Sequence, residues 1–205
     1  MYPIGTYDRF IQKIKGREGK ENETSIFGVV LADIRQPDTK SYILNYLDRF
    51  HLSSGKYIDF YIPGYFEEAD EVYGVEYLEL QKEKYVFSYK AYDEFTAKFV
   101  KDFGLKGKGV PVLYLIEWDH GAFEKSKIME FDLDGGENSV KRTVELFELL
   151  FSFTRDKEDL LGINNRLELE KLGNYLTSDL IDDLGIPLLT VGKNIGKIIL
   201  RFKMR

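Results

Sequence analysis

One stretch of the sequence, SIFGVVLADI (residues 25–34), constrains the fold more than any other. It is a nearly continuous apolar run of strand length, and its single charged residue, Asp33, stands near its end. A strand with one solvent-facing side alternates apolar and polar residues, whereas a strand covered on both faces is apolar throughout. The run therefore predicts a central strand in a sheet that has helices on both faces.

The order of the other segments predicts a mixed sheet. Helical periodicity is found from Thr6 and over 38–52, 92–105 and 138–153. Further strand-like runs are found at 56–65, 110–118 and 127–133. Alternating strands and helices require right-handed crossovers and a parallel pair, whereas the short connection between the last two strands requires an antiparallel pair. The predicted fold class is α/β, an α+β mixed sheet.

Two further segments complete the predicted organisation. Residues 64–90 are acidic and tyrosine-rich, and the runs VYGVEYLEL and KYVFSYK flank the polar turn QKE, which predicts an inserted β-hairpin. Residues 154–205 have a helical pattern throughout, which predicts a helical C-terminal extension to a domain spanning 1–153. Two glycines within 187–204 leave a short hairpin there as the alternative.

Two local motifs occur at notable places in this order. ADIRQPDTK (32–40) follows the central strand and opens a helix, and GVPVLYLI (109–116) opens a later strand. On these stretches the chain resembles the thioredoxin-like fold over residues 25–153. The first motif lies where that family carries its Cys-x-Pro-Cys sequence. The second resembles the family's Gly-x-Pro start of a strand.

The resemblance can be transferred residue by residue. Pro37 matches the proline of Cys-x-Pro-Cys, which leaves Arg35 and Asp38 at the two cysteine positions. Pro111 stands at the position of the family's cis-proline, and an ordinary trans proline opening a strand is the alternative. The resemblance implies a thioredoxin-like β-α-β…α-β-β-α core in which the Arg35 loop and Pro111 face each other.

The family's usual chemistry is excluded here. Thiol–disulfide exchange requires a thiolate that attacks a sulfur. The chain contains no cysteine, and neither Arg35 nor Asp38 can take that role. The resemblance therefore implies a redox-inactive framework, and no cofactor is expected.

A candidate ligand site follows from the position of the first motif. Asp33, Arg35, Gln36 and Asp38 stand at the carboxyl end of the central strand and at a helix N-terminus, where α/β sheets bind ligands and anions are favoured. Arg35 could hold a carboxylate or phosphate with its planar fork, with Pro111 opposite. In the alternative, Asp38 only caps the helix and Arg35 pairs with Asp38 or Asp33.

The aromatic content suggests partner-binding surfaces. The chain has 15 Phe and 14 Tyr, and tyrosine is enriched at interfaces because it combines a large area with a polar group. Tyrosines of the acidic insertion are candidates for contact with a partner: Tyr65, Tyr73 and Tyr77. Half-buried rings of a hairpin are the alternative.

The C-terminal segment is a second candidate surface. Five basic residues accompany its apolar stripe, and the stripe residues that are candidates for partner contact are Ile195, Ile198 and Phe202. The segment could instead dock on its own domain or contact an anionic membrane.

Charge and residue types limit the other functions. A net charge of −6 argues against nucleic-acid binding, which usually requires basic clusters. The only two histidines, His51 and His120, are isolated and predict no metal site. Without a signal pattern or an apolar run long enough to span a bilayer, the expected location is cytoplasmic.

These observations lead to two hypotheses for function. The first is a non-catalytic, thioredoxin-like protein-binding or assembly module, acting on a protein partner or as a homo-oligomer. The alternative is a small α/β enzyme or a nucleotide- or anion-binding domain that uses the loop of Asp33, Arg35 and Asp38.

Overall fold

The chain is organised around the predicted central strand. The computed structural model describes residues 2–17, 25–36, 39, 58–67, 75–80, 83–107, 109, 111–119, 122–133, 150–151, 159–163 and 165. Within these ranges the strands are β1 (Tyr2–Ile4), β2 (Ser25–Leu31), β3 (Asp59–Pro63), β4 (Tyr65–Glu67), β5 (Val75–Leu80), β6 (Glu83–Ser88), β7 (Val112–Asp119) and β8 (Ala122–Asp132). The longer helices are α1 (Tyr7–Arg17) and α2 (Tyr89–Phe103).

The central strand lies in a mixed sheet. Five strands follow the order β1-β3-β2-β7-β8, with β2 in the middle. β3 pairs in parallel with both β1 and β2, whereas β7 is antiparallel to β2 and β8 is antiparallel to β7. The molecule is therefore a mixed α/β protein, and its sheet contains both the parallel and the antiparallel pairing that the order of segments predicts.

The two faces of β2 belong to two hydrophobic clusters. The residues of one face, Phe27, Val29 and Leu31, pack with apolar side chains of α1 and α2, among them Phe10, Ile14, Phe95 and Phe99. The residues of the other face include Ile26 and Val30, and their cluster contains the helical residues Leu150, Leu160 and Ile163. Coverage from both sides is the reason that this stretch carries almost no polar residue.

Aromatic contacts and hydrogen bonds join α1 to α2. The Phe10 ring meets Phe95 and Phe99 edge-on, with centroids 5.5 and 6.4 Å apart. The Tyr7 hydroxyl donates a hydrogen bond of 2.7 Å to Asp102 Oδ2. Burial, helped by this bond to Asp102, raises the pKa of the Tyr7 phenol far above its ordinary value. The two helices are thereby held in one layer against the sheet.

The start and end of α2 follow from local signals. The helix begins at Tyr89, three residues before the predicted start, because Ser88 takes extended backbone angles and its Oγ accepts the Ala91 N–H at 3.3 Å. The helix ends at Gly104, the glycine that the sequence predicts as the end of the helical segment over 92–105. Gly104 is left-handed, with φ of +62°, and Leu105 N–H donates to the Val100 carbonyl at 2.9 Å.

Strand lengths differ from the sequence prediction at two edges of the sheet. β8 begins at Ala122, five residues before the predicted start, so most of the predicted polar connection is strand. A register shift lies opposite Ile116 and Glu117, and this bulge allows the polar residues to continue the ladder. β1 has only three residues, too few for a recognisable alternation, and was not predicted.

The predicted insertion contributes a separate sheet. β5 and β6 pair antiparallel, as predicted for a hairpin, and β4 adds to the other side of β6, which gives the order β4-β6-β5. β4 follows β3 after a single residue, so the second sheet begins where a strand of the first one ends.

C-terminal helical residues close the second face of the main sheet. The side chains of Leu160 and Ile163 are fully buried. The Leu160 N–H donates at 3.2 Å to the buried carboxylate of Glu117 on β7, and Asp159 Oδ1 accepts the Gly162 N–H at 2.8 Å. Leu160 and Ile163 thus share one hydrophobic cluster with residues of the main sheet.

Most of the residues in the predicted helices over 38–52 and 138–153, and in the extension over 154–205, lie outside the described ranges.

The residue between the two sheets allows a test of the fold. Gly64 has a φ of +81°, donates its N–H to the Ile4 carbonyl at 3.0 Å and accepts the Ser88 N–H at 2.9 Å. A Cβ added there would lie 2.7 Å from the Cβ of Tyr92. Gly64 therefore combines left-handed backbone with a lack of space for any side chain.

We expect Gly64→Ala to lower the free energy of unfolding by about 2–4 kcal/mol, because left-handed strain and overpacking add. Urea unfolding followed by fluorescence of the single tryptophan, the buried Trp118, measures this. Gly16→Ala is the control, since a Cβ at this helical position meets nothing within 4 Å and should leave stability equal or up to about 1 kcal/mol higher. Equal stability of Gly64→Ala and the parent would contradict the expectation.

Candidate functional site

A tight turn at the carboxyl end of β2 positions the first predicted site residues. The Asp33 side chain accepts the Arg35 N–H at 2.9 Å through Oδ1, and its carbonyl accepts the Gln36 N–H at 3.0 Å. An aspartate that binds the backbone two residues later is a common turn former. These two hydrogen bonds fix the backbone of Arg35 and Gln36 directly after the end of β2.

Two carboxylates hold the Arg35 guanidinium. Its Nε donates to both Asp33 oxygens at 2.8 Å, and Nη2 lies 2.6 Å from Asp33 Oδ2. Its Nη1 donates to Asp93 Oδ2 on α2 at 3.2 Å, and Nη2 also pairs with the second Asp93 oxygen. The pKa of Arg35 is raised above its already high ordinary value. The hydrogen bonds to Asp33 have the largest effect, and those to Asp93 the second largest. We call these three side chains the Arg35 clasp.

Two tyrosine rings of α2 flank the clasp. The Arg35 Cζ lies 5.6 Å from the ring centre of Tyr89 and 6.0 Å from that of Tyr92, within the range of cation–π attraction. Tyr92 is buried in the core, where burial first and the Asp33 carboxylate second raise the pKa of its phenol. The arginine is therefore oriented by both carboxylates and rings, although its side chain remains 45% exposed.

The turn reaches the start of β7 as well. The Gln36 Nε2 donates a hydrogen bond of 2.7 Å to the Gly109 carbonyl, two residues before Pro111. Pro111 is buried, and its carbonyl accepts the Leu133 N–H at 2.8 Å. Because β7 is antiparallel to β2, with Val112 opposite Leu31, the end of one strand and the start of the other lie at the same end of the sheet.

Two predictions about this region stay predictions. Asp38 lies outside the described residues, so its role as a ligand or as a helix cap is open. No peptide bond between described residues is cis, but Val110 is not among those residues, so the cis geometry predicted for the bond to Pro111 is also open.

The chemical capacity of the site is limited. Arg35 already has two carboxylate partners, and the clasp as a whole carries more negative than positive charge. An incoming phosphate or carboxylate would have to compete with Asp33 and Asp93 for the guanidinium. Within the described ranges no group of three metal-binding side chains is found. The geometry thus favours a rigid polar surface over an open anion site.

The predicted partner-binding residues have different outcomes. Tyr65 is 1% exposed, its ring meets Phe87 edge-on at 4.8 Å, and its hydroxyl donates to the Ala32 carbonyl at 3.4 Å. Its ring therefore lies in the core. Tyr77 stands in β5, and its side chain is not described. The other candidates lie outside the described residues: Tyr73, Ile195, Ile198 and Phe202.

Sequence reasoning missed the residue that completes the clasp. Asp93 is 58 positions from Arg35 and looks like any other exposed acidic residue of an amphipathic helix. Nothing in the sequence around Tyr89 and Tyr92 indicates that these two rings face an arginine. The single available signal was the order of elements, which brings α2 next to β2 without indicating which residue of α2 faces Arg35.

We expect the Tyr92 phenol to make folding sensitive to alkaline pH. In the unfolded chain it ionises at its ordinary pKa near 10, whereas in the folded chain the raised pKa keeps it neutral. The contribution of the neutral Tyr92 phenol to the free energy of unfolding is therefore fully present below about pH 10. It is lost as the pH rises towards the pKa of the folded chain. Between about pH 8 and about pH 10.5 the loss amounts to about 0.8 kcal/mol.

Tyr92→Phe removes this contribution, so its free energy of unfolding should fall by about 0.8 kcal/mol less than that of the parent over the same pH interval. Urea unfolding at both pH values measures the difference, and the comparison at the lower pH accounts for the lost hydroxyl itself. Equal losses in the two proteins would show that Tyr92 does not retain its proton.

Comparison of the chain with protein-family models, with curated proteins and with solved structures finds no match. None of the helices in the described part is long and apolar enough to cross a membrane. The geometry around Arg35 is therefore the basis for a functional proposal.

Proposed function

We propose that this chain is a non-catalytic binding or assembly module built on a thioredoxin-like framework. The mixed sheet supports this framework, because β2 and β3 are parallel whereas β7 and β8 are antiparallel. The hydrogen bond from Gln36 to Gly109 supports it further. It joins the turn that replaces Cys-x-Pro-Cys to the stretch that leads into Pro111.

The observation that carries the proposal is the Arg35 clasp. In the alternative hypothesis, Arg35 is a cation available to a nucleotide or another anion. Instead, Asp33 and Asp93 occupy its donors from two sides, and their negative charge repels an anion. Together with the lack of any cysteine, this leaves a shaped surface without an evident reactive group among the described residues.

The same groups suit contact with another protein. Arginine and tyrosine dominate the energetics of many interfaces. Arg35 and Asp93 are 45% and 56% exposed, and Tyr89 beside them is half-buried. A partner could place polar groups against the fixed guanidinium and carboxylates and apolar area against the ring.

Binding can be tested with one variant and one matched control. Arg35→Ala removes the centre of the clasp, whereas Lys98→Ala removes an exposed cation of α2 that pairs only weakly with Asp8, at 3.5 Å. We expect size-exclusion chromatography with light scattering to show self-association of the parent, or affinity capture to give a specific partner. Arg35→Ala should weaken the association about tenfold or more, and Lys98→Ala should not. A parent that stays monomeric and captures the same proteins as Arg35→Ala would contradict the proposal.

The alternative function has its own test. We expect inorganic phosphate, nucleotides and sugar phosphates to leave the melting temperature of the parent within about 1 °C of that of Arg35→Ala, because the clasp neutralises the cation. A differential scanning fluorimetry screen measures this. An increase of several degrees in the parent and in Lys98→Ala that is absent from Arg35→Ala would instead favour an anion-binding domain.

A further inference from the structure

The start of β2 and the end of β7 bring two polar side chains together. In the register of these strands, Ser25 lies directly opposite Trp118. Directly opposed residues of an antiparallel pair point to the same face of the sheet, with Cβ atoms about 4.5–5.5 Å apart. This face is the one that α1 and α2 cover, because Trp118 belongs to the same hydrophobic cluster as Phe27. Ser25 and Trp118 are therefore neighbours at the edge of that cluster.

The hydrogen-bonding groups of both side chains are buried and unpaired. Trp118 is 2% exposed, and its Nε1 makes no hydrogen bond to a described residue. The Ser25 Oγ is likewise buried and has no hydrogen-bond partner in the described part of the chain. Buried polar groups of native proteins are nearly always hydrogen-bonded, because an unpaired group has lost its bonds to solvent without replacement. Two such groups side by side indicate that a molecule binds between them.

The chemistry of the two groups defines this molecule. The indole N–H only donates, whereas the serine hydroxyl both donates and accepts. The surroundings are apolar, since the Phe123 ring meets Trp118 edge-on at 4.7 Å and also contacts Phe10 and Phe27. An ion between two neutral groups in such surroundings would lose its hydration without a compensating charge. The site therefore suits a small neutral molecule that can accept one hydrogen bond and make another.

We propose that one water molecule is bound between Trp118 Nε1 and Ser25 Oγ and joins β7 to β2. The water accepts the indole N–H and forms its second hydrogen bond with the serine hydroxyl. Buried waters make about two to four hydrogen bonds, and a bridging water is enthalpically close to a direct bond. Since Gln36 binds Gly109 at the other end of these strands, β2 and β7 are joined at both ends.

This water site is independent of the proposed function. Ser25 begins β2, whereas the Arg35 clasp follows the other end of that strand. A failure of the water site would leave the binding role of the clasp untouched, and the reverse also holds.

Two arrangements without water are the alternatives. In the first, the indole N–H donates directly to Ser25 Oγ, which requires a side-chain rotation because the two atoms are not hydrogen-bonded in the structure. In the second, the N–H points at the Phe123 ring. That contact is a weak hydrogen bond and leaves the Ser25 hydroxyl unpaired.

A crystal structure of the parent that shows ordered water distinguishes these arrangements. We expect a water oxygen within about 3.2 Å of both Trp118 Nε1 and Ser25 Oγ. The proposal is overturned if Oγ itself lies within that distance of Nε1, if another side chain occupies the position, or if the indole N–H faces the Phe123 ring.

Nuclear magnetic resonance tests the same contact in solution. Trp118 is the single tryptophan, so its indole N–H gives one isolated signal. We expect a cross-peak between this proton and water in the parent and in Ser25→Thr, which keeps the hydroxyl, and its loss in Ser25→Ala. Absence of the cross-peak from the parent, or equal intensity in Ser25→Ala, would contradict the proposal.

Thr6→Ala is the matched control for this measurement. It also removes one hydroxyl, but that of an exposed residue whose Oγ1 accepts the Arg9 N–H at 3.3 Å, so the indole cross-peak should be unchanged. Loss of the cross-peak in both alanine variants would assign the effect to general destabilisation and overturn the proposal. If Ser25→Ala does not fold, the crystal structure of the parent still decides, because it requires no variant.

Discussion

Burial of β2 on both faces is the constraint on which the rest of the structure depends. A strand with Phe27 and Val29 on one side and Ile26 and Val30 on the other requires two different layers to cover it. α1 and α2 supply one layer, and helical residues that include Leu160 belong to the other. The buried Glu117 carboxylate accepts the Leu160 N–H, so the second layer is joined to the sheet by a polar contact as well as by apolar packing.

The position of the candidate site follows from that strand. Because β7 runs antiparallel to β2, the residues that leave β2 meet the residues that lead into β7 at one end of the sheet. α2 packs on one face of the sheet and reaches this end, so Asp93 in its second turn contacts Arg35. The Arg35 clasp and the Gln36–Gly109 hydrogen bond are thus consequences of strand direction and helix placement, rather than of any local motif.

Features with a strong local signal could be predicted from the sequence. The apolar run of β2, the glycine that ends α2 and the hairpin of β5 and β6 each have such a signal, and each is present in the structure. Features set by tertiary contacts could not be predicted. The three residues of β1 are too few to show a strand pattern. No sequence pattern near Tyr65 or Asp93 indicates the burial of Tyr65 or the pairing of Asp93 with Arg35.

The energetics of the clasp indicate what its function can be. Ion pairs between side chains as exposed as Arg35 and Asp93 contribute at most about 1 kcal/mol to folding, so stability is a weak reason for this arrangement. Its larger effect is on position, since two carboxylates and two rings leave the long arginine side chain little rotational freedom. A partner that contacts a side chain already fixed loses less conformational entropy on binding, by about 0.5–1.5 kcal/mol for each side chain fixed in advance. In the proposed binding module, the clasp would thus contribute to recognition by an amount comparable with its contribution to folding.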